Sequence, residues 1–331
     1  MVANINNRNR QPKGTSKGGQ FAPETHASAP NDLDTTSSDT PPSVVGHYPN
    51  GTIESEEWHN SSGKLHRTDG PAIIQYGDNG HVEHEEWWQN GQQHCTDGPA
   101  TVDYYKDGSI KAETWYKNWD LHRDDGPACT FYYPNGTIQT ESWWKDGEQH
   151  REDGPAHLYY NPDGILTDED YYRNGQPHRT DGPARIKYYG NGNIESESWR
   201  KNGQLHRLDG PAKIFYNEDG KPSSEEWYRN GQRHRVDGPA YIDYYKDGKP
   251  RHEEWWQNGK YHRTDGPATT GYRENGTIER EGWCKNSQHH RTDGPAIIEY
   301  DQNGNIESER WFLNGEEIAP PENIPQQNPT R

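Results

Sequence analysis

Residues 69–76 read Asp-Gly-Pro-Ala-Ile-Ile-Gln-Tyr, and the first four of them occur nine times, beginning at Asp69, Asp97, Asp125, Asp153, Asp181, Asp209, Asp237, Asp265 and Asp293. Every spacing is 28 residues, with no insertion or deletion. Self-similarity at a fixed period marks a repeat architecture, in which each unit is one supersecondary element that buries its apolar face against its neighbours. Other positions keep the same phase. A Tyr stands seven residues after each Asp, from Tyr76 to Tyr300, and a Gly eleven after, from Gly80 to Gly304. A Glu follows at sixteen, from Glu85 to Glu309, and two further on comes Trp, or Tyr at position 171. An Asn-Gly-like pair then leads to a His three residues before the next Asp.

Each repeat reads as two β-strands. The first runs from Ala72 to Tyr76, alternating small or apolar residues with variable ones, the period of a half-buried strand. Asn/Asp-Gly closes a turn by supplying positive φ, and the second strand carries the Glu and the Trp. A four-residue loop would place Ala, Ile, Tyr, Glu and Trp on one face, and a three-residue loop would split them. Neighbouring strands lie about 4.8 Å apart, so a hairpin would advance a sheet by about 10 Å and nine of them by about 90 Å. The expected fold is therefore all-β, an elongated repeat array of antiparallel hairpins forming a meander or solenoid. The alternative is a β-helix-like coil with one 28-residue turn per rung.

Composition agrees with this class. Only 27% of the 331 residues are hydrophobic and the mean hydropathy is −1.43, too little for a thick aliphatic core. Yet the chain holds 13 Trp and 21 Tyr, more aromatic content than disordered chains carry. The formal charge of −18 argues against nucleic acid or an anionic membrane as partner of the whole surface. Three cysteines, Cys95, Cys129 and Cys284, make no disulfide framework. No apolar run suits a membrane helix or signal peptide, so a reduced cytoplasmic location is expected, and the four Asn-x-Ser/Thr sequons carry little weight.

The ends break the pattern. Residues 1–46 lack hydrophobic periodicity and read as a disordered leader. Residues 47–68 read as an N-terminal capping half repeat, one residue out of register. The tandem repeats span 69–304, a C-terminal cap 305–318 and a Pro-rich tail 319–331.

Tyr188-Tyr189-Gly190-Asn191-Gly192, Glu197-Ser198-Trp199 and Asn202-Gly203 together resemble the variant MORN repeats of bacterial and viral proteins. The His-Arg-x-Asp-Gly-Pro-Ala string is similar more specifically to repeat proteins of phage and large-virus genomes. The resemblance covers about residues 48–318 and implies a hairpin array and phage or bacterial origin. The unit here exceeds the usual MORN length within the His-Arg-x-Asp connection, so the lipid association of MORN proteins is not carried over. Separately, Gln11-Pro12-Lys13-Gly14-Thr15-Ser16-Lys17-Gly18-Gly19-Gln20-Phe21-Ala22 resembles an N-terminal segment of actinobacterial and actinophage proteins, which implies a targeting or recognition peptide.

Three features have chemical potential. His66-Arg67-x-Asp69 and its copies suggest a metal site or an oriented base, but equivalent His residues about 10 Å apart cannot share an ion held at about 2 Å. Nine copies point to architecture instead, with the Asp accepting backbone N–H bonds and Gly and Pro setting the turn dihedrals. Arg67, Arg123, Arg151, Arg179, Arg207, Arg235, Arg263 and Arg291 form a row broken at Cys95, either pairing with the Glu row or reading carboxylates and phosphates. The regular aromatics are needed as core, whereas Trp88, Trp144 and Trp256, one residue later, would face the other side and are better binding candidates.

No nucleotide loop, nucleophile elbow or metalloprotease motif is present, and nothing converges on one pocket. No catalytic residue, metal or cofactor is therefore expected. The reading is a non-enzymatic scaffold that binds a protein. The alternatives are an acidic DNA mimic that inhibits a DNA-binding enzyme, and carbohydrate binding through exposed Trp. One physical property follows directly: protonating the 17 His would cancel nearly all of the −18 charge. Solubility is expected to pass through a minimum near pH 5, close to the sequence pI of 5.4. A solubility curve flat from pH 7 to pH 5 would contradict this.

Overall fold

The computed structural model describes residues 41–95 and 98–320. They are all-β, and within each compact unit the long strands run antiparallel in chain order as a hairpin meander. This excludes a β-helix-like coil. Two compact units, Met1–Gln176 and Pro177–Arg331, divide the chain. Among the described residues no helix is long and apolar enough to cross a membrane.

In the first unit the strands Val44–His47, Ile53–Glu57, Ile73–Tyr76, Val82–Glu86, Thr101–Tyr104, Ile110–Thr114, Cys129–Tyr132, Ile138–Ser142, His157–Tyr160 and Leu166–Asp170 pair successively. In the second unit the series runs from Arg185–Tyr188 through Ile306–Leu313, which Glu316–Ile318 closes.

The register decides the faces. Ile73, Ile74 and Gln75 oppose Glu86, Glu85 and His84, and the pairing shifts between Gln75 and Tyr76, which opposes Val82. Gly77 N–H donates to His81 O and Gly80 N–H to Gly77 O, with Gly80 at φ 80°. This is a turn ending in a left-handed Gly beside a bulge. The turn itself holds three residues, 78–80, which alone would split the faces as the three-residue alternative has it. The extra residue at the bulge, Glu83, restores the register, so Ala72, Ile74, Tyr76, Glu85 and Trp87 share the first face.

Two expectations need correction. The stretch after the Trp is more than a connection: it contains a second, short hairpin, as in Trp88–Gln89 with Gln92–Gln93. Its turn residues Asn90 and Gly91 have φ of 52° and 80°, the two positive values that select Asn-Gly. The leader boundary at 46 also moves back, because Val44–His47 is already a strand paired with Ile53–Glu57. The remaining leader, residues 1–40, and the tail, residues 321–331, lie outside the described residues. The one-residue offset of the capping half repeat is absorbed at residues 60–63, where Asn60 accepts from Gly63 N–H and Lys64 O accepts from Asn60 N–H.

A thin core suffices because polar ladders supplement it. The Ala of every Asp-Gly-Pro-Ala, from Ala72 to Ala296, is at most 1% exposed. Beside it, the recurring Tyr hydroxyl donates to the Glu nineteen residues earlier. Tyr76→Glu56 is the early variant, and Tyr104→Glu85, Tyr132→Glu113, Tyr216→Glu197 and Tyr244→Glu225 are typical, at 2.6–3.0 Å. Burial first, and the adjacent carboxylate second, push these phenols up, Tyr300 to about 12. A further row reaches the following repeat: Tyr105 OH donates to Tyr132 O, Tyr133 OH to Tyr160 O, and Tyr245 OH to Tyr272 O.

Removing one rung should be costly, because a half-buried carboxylate then loses its donor. Tyr104→Phe is expected to destabilise the first unit by about 1.5–3 kcal/mol. Denaturant unfolding measures this, and a change below about 0.5 kcal/mol would show that the ladder is not structural.

Candidate functional site

The first face is occupied by the repeat's own chemistry, and the Arg row is the clearest case. Seven of the eight Arg lie over the indole that precedes them, Arg179 following Tyr171 instead: Cζ sits 3.9 Å from the ring centre for Arg67 on Trp58, 4.1 Å for Arg123 on Trp115 and 4.0 Å for Arg151 on Trp143. The same stack holds Arg207, Arg235, Arg263 and Arg291 on Trp199, Trp227, Trp255 and Trp283. Nε then donates to the Asp two residues on, at 2.9–3.1 Å, in all eight copies, including Arg179 to Asp181. Nη1 donates to the Pro carbonyl of the same motif, as from Arg207 to Pro211 at 3.3 Å.

These guanidinium groups are structural clamps. Their hydrogen bonds go to the Asp and the Pro carbonyl, while the Glu row accepts from the Tyr hydroxyls. The Arg hydrogen bond holds Asp181, Asp209, Asp237, Asp265 and Asp293 below the usual carboxylate range. The Asp thus accepts from a side chain in addition to the backbone N–H expected from sequence, here its own. The motif Gly has a different cause as well. It is not left-handed; a Cβ there would lie 2.6–3.1 Å from the guanidinium carbon in all eight Arg-bearing copies. The His is architectural too: His66 Nδ1 accepts from Asn90 N–H of the next short hairpin, as His206 does from Asn230.

The second face carries the candidate site. Trp88, Trp144 and Trp256 all lie there, at the start of their short hairpins. The sequence reading missed that this is a row: Tyr116, Tyr172, Tyr228 and Phe312 occupy the same offset, nineteen after each Asp. All except Phe312 are half-buried. Reading that offset across all repeats, rather than noting doubled Trp, would have found them.

Around Trp88 the indole Nε1 donates to Glu86 at 2.5 Å, and His84 bridges Glu86 at 2.8 Å and Asp103 at 2.7 Å. Trp119 stands edge-on to Trp88, with centroids 5.3 Å apart. Trp119 was also missed. It is 54% exposed and held at φ 76°, where seven other short turns have Gly. Around Trp144, Nε1 donates to Ser142 Oγ at 2.9 Å.

In the second unit Arg233 sits amid Tyr228, Tyr241 and Trp256, 5.9, 4.9 and 5.4 Å from the ring centres. It donates to Glu226 at 2.9 Å and Glu254 at 3.2 Å. Trp256 and Tyr261 rings lie 3.8 Å apart, and both donate to Glu254. Burial opposes ionisation of Glu254, but donation from His252, Trp256 and Tyr261 outweighs it and holds the carboxyl below its usual value. Among the described residues no group of His, Cys, Asp or Glu has metal-ligand geometry. The arrangement offers apolar ring faces flanked by fixed charges, which suits recognition.

No protein-family profile matches the chain, and no curated protein matches it. Among solved structures it is similar to an alternansucrase in complex with isomaltononaose, at 14% identity over 80% of this chain and 18% of that one, TM-score 0.18. It is also similar to the Photorhabdus luminescens Tc holotoxin pore, at 12% identity over 82% and 17%, TM-score 0.15. A TcdB2-TccC3-Cdc42 structure gives 13% identity over 81% and 17%, TM-score 0.13. The chain spans less than a fifth of these proteins, and likenesses this low carry no functional argument.

Two outcomes follow from the geometry. Donation to Asp103 and then to Glu86, against burial, raises His84 to about 9. Its folded value lies above the unfolded 6.5, so its stabilisation is complete below pH 6.5 and is lost as pH rises through about 9. The stability difference between the wild type and His84→Gln should shrink over that window; a constant difference would contradict it. Trp119→Gly should stabilise the first unit by about 1 kcal/mol by relieving the left-handed backbone. A loss in thermal unfolding would mean that the Trp88 contact outweighs the strain.

Proposed function

We propose that the chain is a non-enzymatic binding module whose repeats present the second face to a protein partner. The observation that carries this reading is the half-buried aromatic row on the face that the Tyr–Glu and Arg–Trp ladders leave free. Equivalent rings lie two strands apart, about 10 Å, so a partner can engage several repeats and sum their contacts. Trp119 supports it: an exposed Trp in a strained turn is disfavoured by folding, and Trp is enriched among interface anchors. A cytoplasmic location suits the three unpaired cysteines. Kinship to MORN-type repeats and phage encoding rest on the sequence motif and belong to the same proposal.

The test is capture from a host lysate by residues 41–331, in parallel with a Trp88→Ala/Trp119→Gly variant and a Trp256→Ala variant, each shown to be folded by circular dichroism. A polypeptide retained through high salt by the wild type and lost from either variant is the expected result. Capture that collapses with salt and is displaced by duplex DNA would replace this reading with the DNA mimic. Glycan-array binding lost in the same variants, with no polypeptide retained, would replace it with carbohydrate recognition.

A further inference from the structure

The clamp of the first face has one incomplete copy. Eight of the nine Asp-Gly-Pro-Ala motifs are preceded by an Arg at the position that stacks and donates, and the motif at 97–100 is preceded by Cys95. The stacking surface and one acceptor remain. Trp87 is half-buried on the first face, in the row whose other indoles carry a guanidinium, and Pro99 supplies the carbonyl to which Nη1 donates elsewhere. The counterpart carboxylate, Asp97, lies outside the described residues.

Space is present as well. A Cβ on Gly70 or Gly126 would meet the guanidinium carbon at 3.0 or 2.9 Å, with nitrogens close behind. At Gly98 the one described atom within 4 Å is the Cys95 thiol, at 3.6 Å. No cation lies over the Trp87 ring among the described residues, whereas seven other indoles of the row hold one at 3.9–4.2 Å. The slot opens to solvent: the Arg side chains that fill it elsewhere remain 12–27% exposed, Arg67 least and Arg123 most.

We propose that the slot formed by Trp87, Cys95, Gly98 and Pro99 receives a guanidinium group from outside the chain, an arginine side chain of the partner protein. The partner's arginine completes in trans the contact that each other repeat makes in cis. The ligand class follows from the site. A planar cation stacks on the indole while a peripheral N–H reaches a carbonyl, which a compact ammonium on a flexible stem cannot do at once. Cys95 is smaller than Arg, and among the described residues no side chain takes the place of the missing guanidinium. The proposal deepens the protein-binding reading and rests on it for the source of the arginine, but the slot itself is testable without a partner.

The experiment titrates the full chain, labelled with ¹⁵N at the tryptophan indoles, with N-acetyl-arginine methylamide, and in parallel with the lysine analogue. The Trp87 indole, assigned through Trp87→Phe, should shift saturably with the arginine probe, with a preference of about tenfold over lysine. Cys95→Arg should raise the thermal midpoint and abolish the shift. If that variant does not fold, Cys95→Met fills the slot without charge and should also abolish the shift. Absence of a saturable shift in the wild type, equal response to lysine, or an unchanged shift in the filled variant would overturn the proposal. Arginine binding with no protein captured in the preceding test would sink the protein-binding reading alone, and capture without arginine binding would sink this proposal alone.

Discussion

The guanidinium that lies on the preceding indole ties together the parts of the repeat that the strands leave apart. Its carbon contacts the Trp at the end of the long hairpin, its Nε fixes the Asp, and its Nη1 fixes the Pro carbonyl just before the next strand. Its own backbone N–H donates to the following short hairpin, as from Arg207 to Tyr228 O. One side chain thus couples hairpin, connection and next repeat. Each stack contributes roughly 0.5–2 kcal/mol, depending on its exposure. The same contact explains the invariant local chemistry: any side chain in place of Gly210 would collide with the group it must lie against.

A chain with 27% hydrophobic residues folds this way because its polar groups satisfy one another on a regular lattice. The Ala row lets strands approach the indoles closely, and the Tyr–Glu row pairs carboxylates that burial would otherwise penalise. These ladders use one face. The other face obeys no ladder and varies from repeat to repeat, with Trp88 beside His84 and Glu86, Trp144 beside Ser142, and Trp256 beside Arg233 and Glu254. A constant face for folding and a variable face for recognition is the division of labour expected of a repeat array.

The 28-residue period made the hairpins and their turn glycines legible, because strand alternation and Asn-Gly turn chemistry act locally. The face of Glu and Trp stayed open because it depends on a bulge that no residue type announces. The assignment of Trp88, Trp144 and Trp256 to the second face followed from the same alternation. The Arg–Asp clamp was not legible. Its partners are two and eight residues away along an irregular path, and no periodicity announces which acceptor a guanidinium reaches when Glu and Asp recur alike. The motif Gly was misread for a related reason: sequence suggests a dihedral role, while the cause is a side chain folding back on it. Trp119 was hidden because its signal is a substitution within a short hairpin that the two-strand reading did not resolve.

A double-mutant cycle on Arg207 and Trp199, read by denaturant unfolding, tests the central claim most directly. Arg207→Ala, Trp199→Leu and the pair are compared with the wild type, with Arg207→Lys alongside to separate charge from planar stacking. A clamp predicts a coupling of about 1 kcal/mol or more, and a lysine variant nearly as unstable as the alanine one. Coupling near zero, or full rescue by lysine, would mean that the repeats are held by their strands alone.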